Sequence, residues 1–212
     1  MMRKLIFALL AFSILSCQNH QPKAADNPPE EVDTICCCPP TIHLQPYNNF
    51  TLKEAEQVKK QFAAYLKKSL YYEEEIEIDS PIKLDTSMLN AAHSRYRADK
   101  IVNYQRKQTN SHNIIIGLLH EDISLQYKGR KDWGVLGLSF KGTYSCVVST
   151  YRVKNKQRDL WKVVAHEFIH AYFNYGHCPK DNPNCIMKDA KGHADFSNKN
   201  DLCDYCKQQL RM

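Results

Sequence analysis

Three histidines, a glutamate and a cysteine fall within one short stretch of this chain, AHEFIHAYFNYGHC, residues 165 to 178. His166 and His170 stand four residues apart, so on a helix they share one face, where two imidazoles can bind a single metal ion. Glu167 then sits about 100° further round that helix, near the ion without being forced to ligate it. A carboxylate so placed can take a proton from a water beside the metal and pass it to a leaving amine. HExxH fixes only three positions, and taken alone it equally describes a buried helix with two satisfied histidines. His177 adds a third imidazole, which reaches the same ion only if the chain leaves the helix after Phe173 and turns back. Asn and Gly accept the left-handed backbone such a helix end requires. Asn174 and Gly176 are both available for the turn.

Cys178 follows His177 directly, and Cys185, Cys203 and Cys206 follow it, the last two as C-x-x-C. In an oxidising compartment such a set tends to form disulfides, here two bridges stapling the C-terminal region. Four cysteines ending in C-x-x-C are also the ligand set of a closed tetrahedral structural zinc site.

HEFIHAYFNYGHC followed by CIM and then CDYC resembles the archaemetzincin signature, in which the metzincin motif HExxHxxGxxH is extended by HC, C-x-M and C-x-x-C. That family consists of small zinc-dependent peptidases with a catalytic zinc and a second, cysteine-bound zinc. The resemblance spans residues 166 to 206. It implies that His166, His170 and His177 are catalytic zinc ligands and that Glu167 is the general base. It implies also that Met187 stands in the Met-turn below the zinc, a position where an ordinary core methionine is the plain alternative. Cys178, Cys185, Cys203 and Cys206 would hold the second zinc, and with the resemblance added the metal reading of the cysteines is preferred to disulfides. Two Zn2+ ions per chain are therefore expected.

The chain departs from the family pattern twice. The third histidine comes one residue late, and Phe173 occupies the glycine position. Asn174 stands three before His177, where the family's glycine stands relative to its last histidine, so a longer helix with Asn174 taking the turn is expected. The gap from Cys178 to Cys185 is also wider than usual, and its PKDNPN is loop-forming by composition.

These groups need elements to position them. TIHLQPY reads as a strand, and LKEAEQVKKQFAAYLKKSL as an amphipathic helix with Ala55, Val58, Phe62, Tyr65, Leu66 and Ser69 or Leu70 inward. EIEID reads as a short strand, and SMLNAAHSRYRADKIVNYQRKQ as a second helix that Ser87 or Thr86 caps. NIIIGLLHEDI reads as a central buried strand, and WGVLGLSF and YSCVVSTYRV as two more joined by KGT. The histidine-bearing helix starts near Arg158, and Leu160, Trp161, Val164, Ala165, Phe168, Ala171 and Tyr172 bury most of its circumference. The order predicts an α/β fold, a metzincin-like mixed twisted sheet of about five strands packed on helices, with a C-terminal segment whose four cysteines bind zinc. WGVLGLSF lies where metzincins present an edge strand to an extended substrate.

The chain has 212 residues, 43% hydrophobic and 25% charged, as for one globular domain. Its net charge of +6 is spread out, with no long basic run and no base-stacking aromatic pattern, so no nucleic-acid partner is expected. Residues 1–17 read as a signal peptide: Arg3 and Lys4, an apolar run LIFALLAFSIL too short to span a membrane, then ILSC. Ser16 before Cys17 resembles the lipobox of bacterial lipoproteins, in which the cysteine is acylated; an ordinary signal peptide cut nearby is the alternative. Residues 18–40 suit a flexible tether, leaving 41–212 as the catalytic domain. Nine cysteines are many for one exported domain. Cys36, Cys37 and Cys38, with Cys146, stay open between redox chemistry, adventitious metal binding and a disulfide.

The first functional expectation is thus an exported, lipid-anchored, monomeric zinc metallopeptidase acting on peptides or proteins. The second is a non-catalytic zinc-binding lipoprotein on the same scaffold. The third is a zinc hydrolase of another substrate, such as RNA, against which the export signal argues.

Overall fold

The structure, a computed structural model, describes residues 40–73, 75–190 and 196–210. The expected signal segment, the tether up to residue 39, and with them Cys17, Cys36, Cys37 and Cys38 lie outside the described residues.

Strand β1 (Thr41–Pro46) buries Ile42 and Leu44 on one face. Helix α1 (Leu52–Tyr65) starts at a capping box: the Glu54 amide donates to Thr51 Oγ1 (3.2 Å) and the Thr51 amide to Glu54 Oε2 (3.0 Å). It buries Ala55, Val58, Phe62 and Tyr65 and then widens into a π-helical turn, Leu66–Leu70. That turn buries Ser69 and leaves Leu70 half-buried. Strand β2 (Ile76–Ile78) follows.

The expected second helix is much shorter than its pattern. Its first part is a 3-10 turn at Thr86–Met88, a loop and a two-residue strand, β3 (Tyr96–Arg97); only α2 (Ala98–Gln105) is α-helical. Asn90 is the cause. Its Oδ1 accepts from the Ser94 amide (2.9 Å) and the Arg95 amide (3.3 Å), and His93 takes φ 51°. A short amide side chain has here outcompeted the helix for backbone donors.

The long apolar run likewise divides into β4 (Asn113–Leu119) and β5 (Ile123–Tyr127), which belong to different sheets. Asp122 anchors the break, held by Arg152 through two hydrogen bonds (2.8 and 2.7 Å) and by Arg95 (2.7 Å). A hairpin leads from β5 to β6 (Arg130–Val135), turning at left-handed Lys128 and Gly129. WGVLGLSF accordingly straddles two elements, the end of β6 and β7 (Gly137–Ser139). Strand β8 (Ser145–Ser149) is wholly buried, free Cys146 included. Helix α3 (Lys156–Phe173), with Asn155 as its N-cap, and α4 (Asp204–Leu210) complete the order.

The main sheet has five strands in the order β2-β1-β4-β8-β7, parallel except for β7, with a separate three-stranded sheet β3-β5-β6. The expected α/β class is therefore found, and the second small sheet is additional to it. Ile42, Leu44, Ile114, Ile116, Leu118, Cys146 and Val148 form one core with α1, α3 and the C-terminal segment. Residues of α2 pack with Val147 and Leu119, which point the other way. Burial on α3 is nearly complete because sheet, α1 and C-terminal segment all contact it. Asp159 and Lys162, each about 2% exposed, pair at 2.9 Å, and Lys162 Nζ donates to the Phe196 carbonyl (2.7 Å).

Candidate metal and catalytic site

Helix α3 ends at Phe173, and Asn174 takes the left-handed conformation, φ 53° and ψ 23°. Gly176 is not needed for the turn, since among the described residues the positive-φ glycines are Gly129 and Gly142. The reversal at Asn174 brings His177 back onto the helix. One ring nitrogen each from His166, His170 and His177 lies within 4.8 Å of the others. His166 and His170 are buried and His177 is exposed.

The hydrogen bonds of the two helical histidines decide what their inner nitrogens are. His166 Nδ1 lies 2.8 Å from the Ile186 carbonyl oxygen, and His170 Nδ1 lies 2.6 Å from that of Tyr175. A carbonyl only accepts, so each Nδ1 carries the proton and each neutral Nε2 presents a lone pair. Burial drives the His166 pKa down to about 3, helped by His170, and that of His170 down to about 4. Both rings are thus neutral at pH 7. Their Nε2 atoms nevertheless face each other at 3.1 Å. Two acceptors held that close suit a cation between them, and two nitrogens on a tetrahedral zinc stand about 3.3 Å apart.

The cysteines pass a similar test. Cys178, Cys185, Cys203 and Cys206 bring their sulfurs within 4.8 Å of one another, all as free thiols. Cys178 and Cys203 Sγ are 3.6 Å apart and Cys185 and Cys206 Sγ 3.7 Å. Zn–S bonds of about 2.3 Å give a tetrahedral edge of about 3.8 Å. The donor set therefore fits zinc, with PKDNPN bulging as the exposed loop its composition predicts. Burial pushes the Cys185 and Cys206 thiols up, so ion binding there displaces protons.

Glu167, buried on α3, faces β7. Ser139 Oγ donates to its Oε2 at 2.7 Å. A Cβ on Gly137 would come within 2.7 Å of Glu167 Cγ, so only glycine admits the carboxylate this close to the strand. Burial raises the Glu167 pKa to about 7 while the Ser139 bond opposes the rise. Among the described residues, strand β7 pairs with β8 alone, as the last strand of its sheet. The β7–β8 loop closes over the helix end, where the Gly142 amide donates to the His170 carbonyl (3.2 Å) and the Tyr144 amide to that of Ala171 (3.3 Å).

Met187 is fully buried, and its carbonyl accepts from the Cys178 amide at 2.8 Å. Sequence reading missed Ser139, Gly137 and the carbonyls of Tyr175 and Ile186. Gly137 and Ser139 left a faint trace, as small residues spaced i, i+2 on one face of a strand; the carbonyls left none. A third group, His43 on β1 with Glu77 on β2 and Asp79 just after it, is also gathered. There His43 Nδ1 sits 3.1 Å from Asp79 Oδ1, which accounts for the cluster without an ion.

Solved structures share this architecture. An archaemetzincin from Methanopyrus kandleri superposes with a TM-score of 0.62 at 20% identity, over 81% of this chain and 93% of that one. An archaemetzincin from Archaeoglobus fulgidus, complexed with malonate, gives 0.63 at 19%, over 80% and 99%. The fold is that of the archaemetzincins. A zinc-dependent peptidase from Methanocorpusculum labreanum has it too, with a TM-score of 0.62 at 21% identity over 80% of this chain and 100% of its own. No family model and no curated protein matches the sequence. Within the archaemetzincin fold, this chain's histidines and cysteines occupy the helix end and C-terminal segment described above.

Proposed function

We propose that this protein is a zinc-dependent metallopeptidase, with His166, His170 and His177 holding the catalytic ion and Cys178, Cys185, Cys203 and Cys206 a structural one. The observation that carries the reading is the pair of buried, neutral imidazoles whose unprotonated nitrogens face each other beside a buried carboxylate. A zinc ion held there would supply Lewis acidity, to polarise a carbonyl and to make water nucleophilic near neutral pH.

Glu167 supplies the proton chemistry. Its burial keeps its basicity near the working pH, where a general base is most effective. Ser139 holds Oε2, leaving Oε1 to take a proton from the attacking water and deliver it to the departing amine. The edge of β7, unpaired among the described residues, runs beside this carboxylate, and an extended peptide can add there as a further strand. In this reading the buried Met187 is the methionine of the Met-turn.

The protein is exported and anchored by lipid on Cys17, a reading that rests on the sequence around ILSC. Fatty-acid labelling of cells tests it: a Cys17→Ala protein labelled as strongly as wild type removes the anchor. The late third histidine sustains one rival, a zinc-binding scaffold that cleaves nothing. A peptide-library cleavage profile of zinc-loaded protein beside its Glu167→Ala form separates the two. Cleavage by wild type alone supports the peptidase; no cleavage by either leaves the scaffold.

A further inference from the structure

The structure assigns the cysteine cluster a second task, reached through Tyr175: it sets the geometry, and hence the metal affinity, of the histidine cluster. This rests on the metal reading proposed above. Two carbonyls orient the helical histidines, that of Tyr175 toward His170 Nδ1 (2.6 Å) and that of Ile186 toward His166 Nδ1 (2.8 Å). Both belong to one stretch, residues 174–190, that is neither helix nor strand and carries an isolated bridge from Cys185 to Asp201. That stretch is pinned instead to the cysteines. Tyr175 OH donates to Cys206 Sγ at 3.4 Å, Cys185 immediately precedes Ile186, and the Cys203 amide donates to Cys185 Sγ at 3.4 Å. The Ile186 amide donates to the Asp201 carbonyl (2.9 Å), and the Cys178 amide to that of Met187 (2.8 Å).

Each orienting carbonyl is therefore tied to a cysteine, one through its own residue's side chain and the other through the adjacent ligand. A carbonyl bonded to a ligand's outer nitrogen fixes its ring and tautomer, and losing such a partner typically costs 10- to 100-fold in metal affinity. Tyr175 is a positioning residue in this scheme. Its hydroxyl holds the backbone that aims His170, and it touches no reacting atom.

The test uses full-length protein with the cysteine site filled by zinc and cobalt titrated into the histidine site, read by its visible absorption. Tyr175→Phe keeps the carbonyl and loses only the hydroxyl–sulfur bond. The expected result is a roughly tenfold weaker cobalt affinity and an altered absorption band, with an unchanged unfolding temperature. Cys206→Ser should weaken it further, and if that variant fails to fold, Tyr175→Phe decides. Wild-type cobalt affinity and spectrum in folded Tyr175→Phe overturn the inference alone. Wild-type protein that takes up no cobalt at the histidines overturns the metal reading and the inference with it.

Discussion

Ser139, in the edge strand β7, donates a 2.7 Å hydrogen bond to Oε2 of Glu167, in helix α3. The bond joins the strand that would receive a substrate to the carboxylate that would move its protons. Ser139→Ala should leave both metal sites filled and lower kcat roughly tenfold, about the worth of one hydrogen bond to a charged group. Steady-state kinetics beside zinc analysis check this, and an unchanged kcat would show that Glu167 is held by its packing against Gly137.

Glu167 and His177 should fail in different ways. Glu167→Ala should keep its zinc and near-native stability while losing about 10² to 10⁴-fold in activity, because it removes an acid-base group and no ligand. His177→Ala removes a ligand, so zinc affinity and activity should fall together. Elemental analysis of both proteins distinguishes them, with two zinc ions expected for Glu167→Ala.

Asn174 stands at φ 53°, where the reversal toward His177 is made. Left-handed backbone costs an ordinary residue roughly 1–2 kcal/mol and a glycine nothing. Asn174→Gly should therefore keep thermal stability and zinc, whereas Asn174→Val should lower both. Thermal unfolding with and without chelator measures the difference; equal behaviour of the two variants would mean the turn does not position His177.

Acid should destabilise the domain through Asp159. Burial pushes this carboxyl up, but hydrogen bonds from Arg158 and Lys162 outweigh burial and hold it below the usual carboxylate range. With the folded pKa below the unfolded one, of about 3.9, the stabilisation is complete above that value and is lost as pH falls through the folded pKa. Denaturant titrations at pH 7 and pH 3 should show this loss in wild type and a smaller one in Asp159→Asn, which already lacks the charge at pH 7.

The helix end was legible because its signals are local. Spacing put His166 and His170 on one face, and the displaced asparagine told which residue reverses the chain, since few residues tolerate that backbone. Local pattern failed where the hydrogen bonds of one polar side chain decided the outcome. SMLNAAHSRYRADK carries helical spacing, yet Asn90 takes the backbone donors for a loop. NIIIGLLHEDI is apolar almost throughout, yet Asp122, clamped by Arg95 and Arg152, sends its end to another sheet.

By itself, the sequence determined the chemistry available: three imidazoles, one carboxylate and four thiols, at spacings that favour two separate ligand sets and a helix buried over most of its circumference. The tertiary structure alone decided which nitrogens are free, how near to 7 the Glu167 pKa rises and which strand lies against it. Those properties depend on burial and on hydrogen bonds between residues far apart in the chain, such as Ser139 with Glu167 and His166 with Ile186. No spacing rule encodes a backbone carbonyl's aim, because every residue has one and only the packed chain selects which of them meets a histidine.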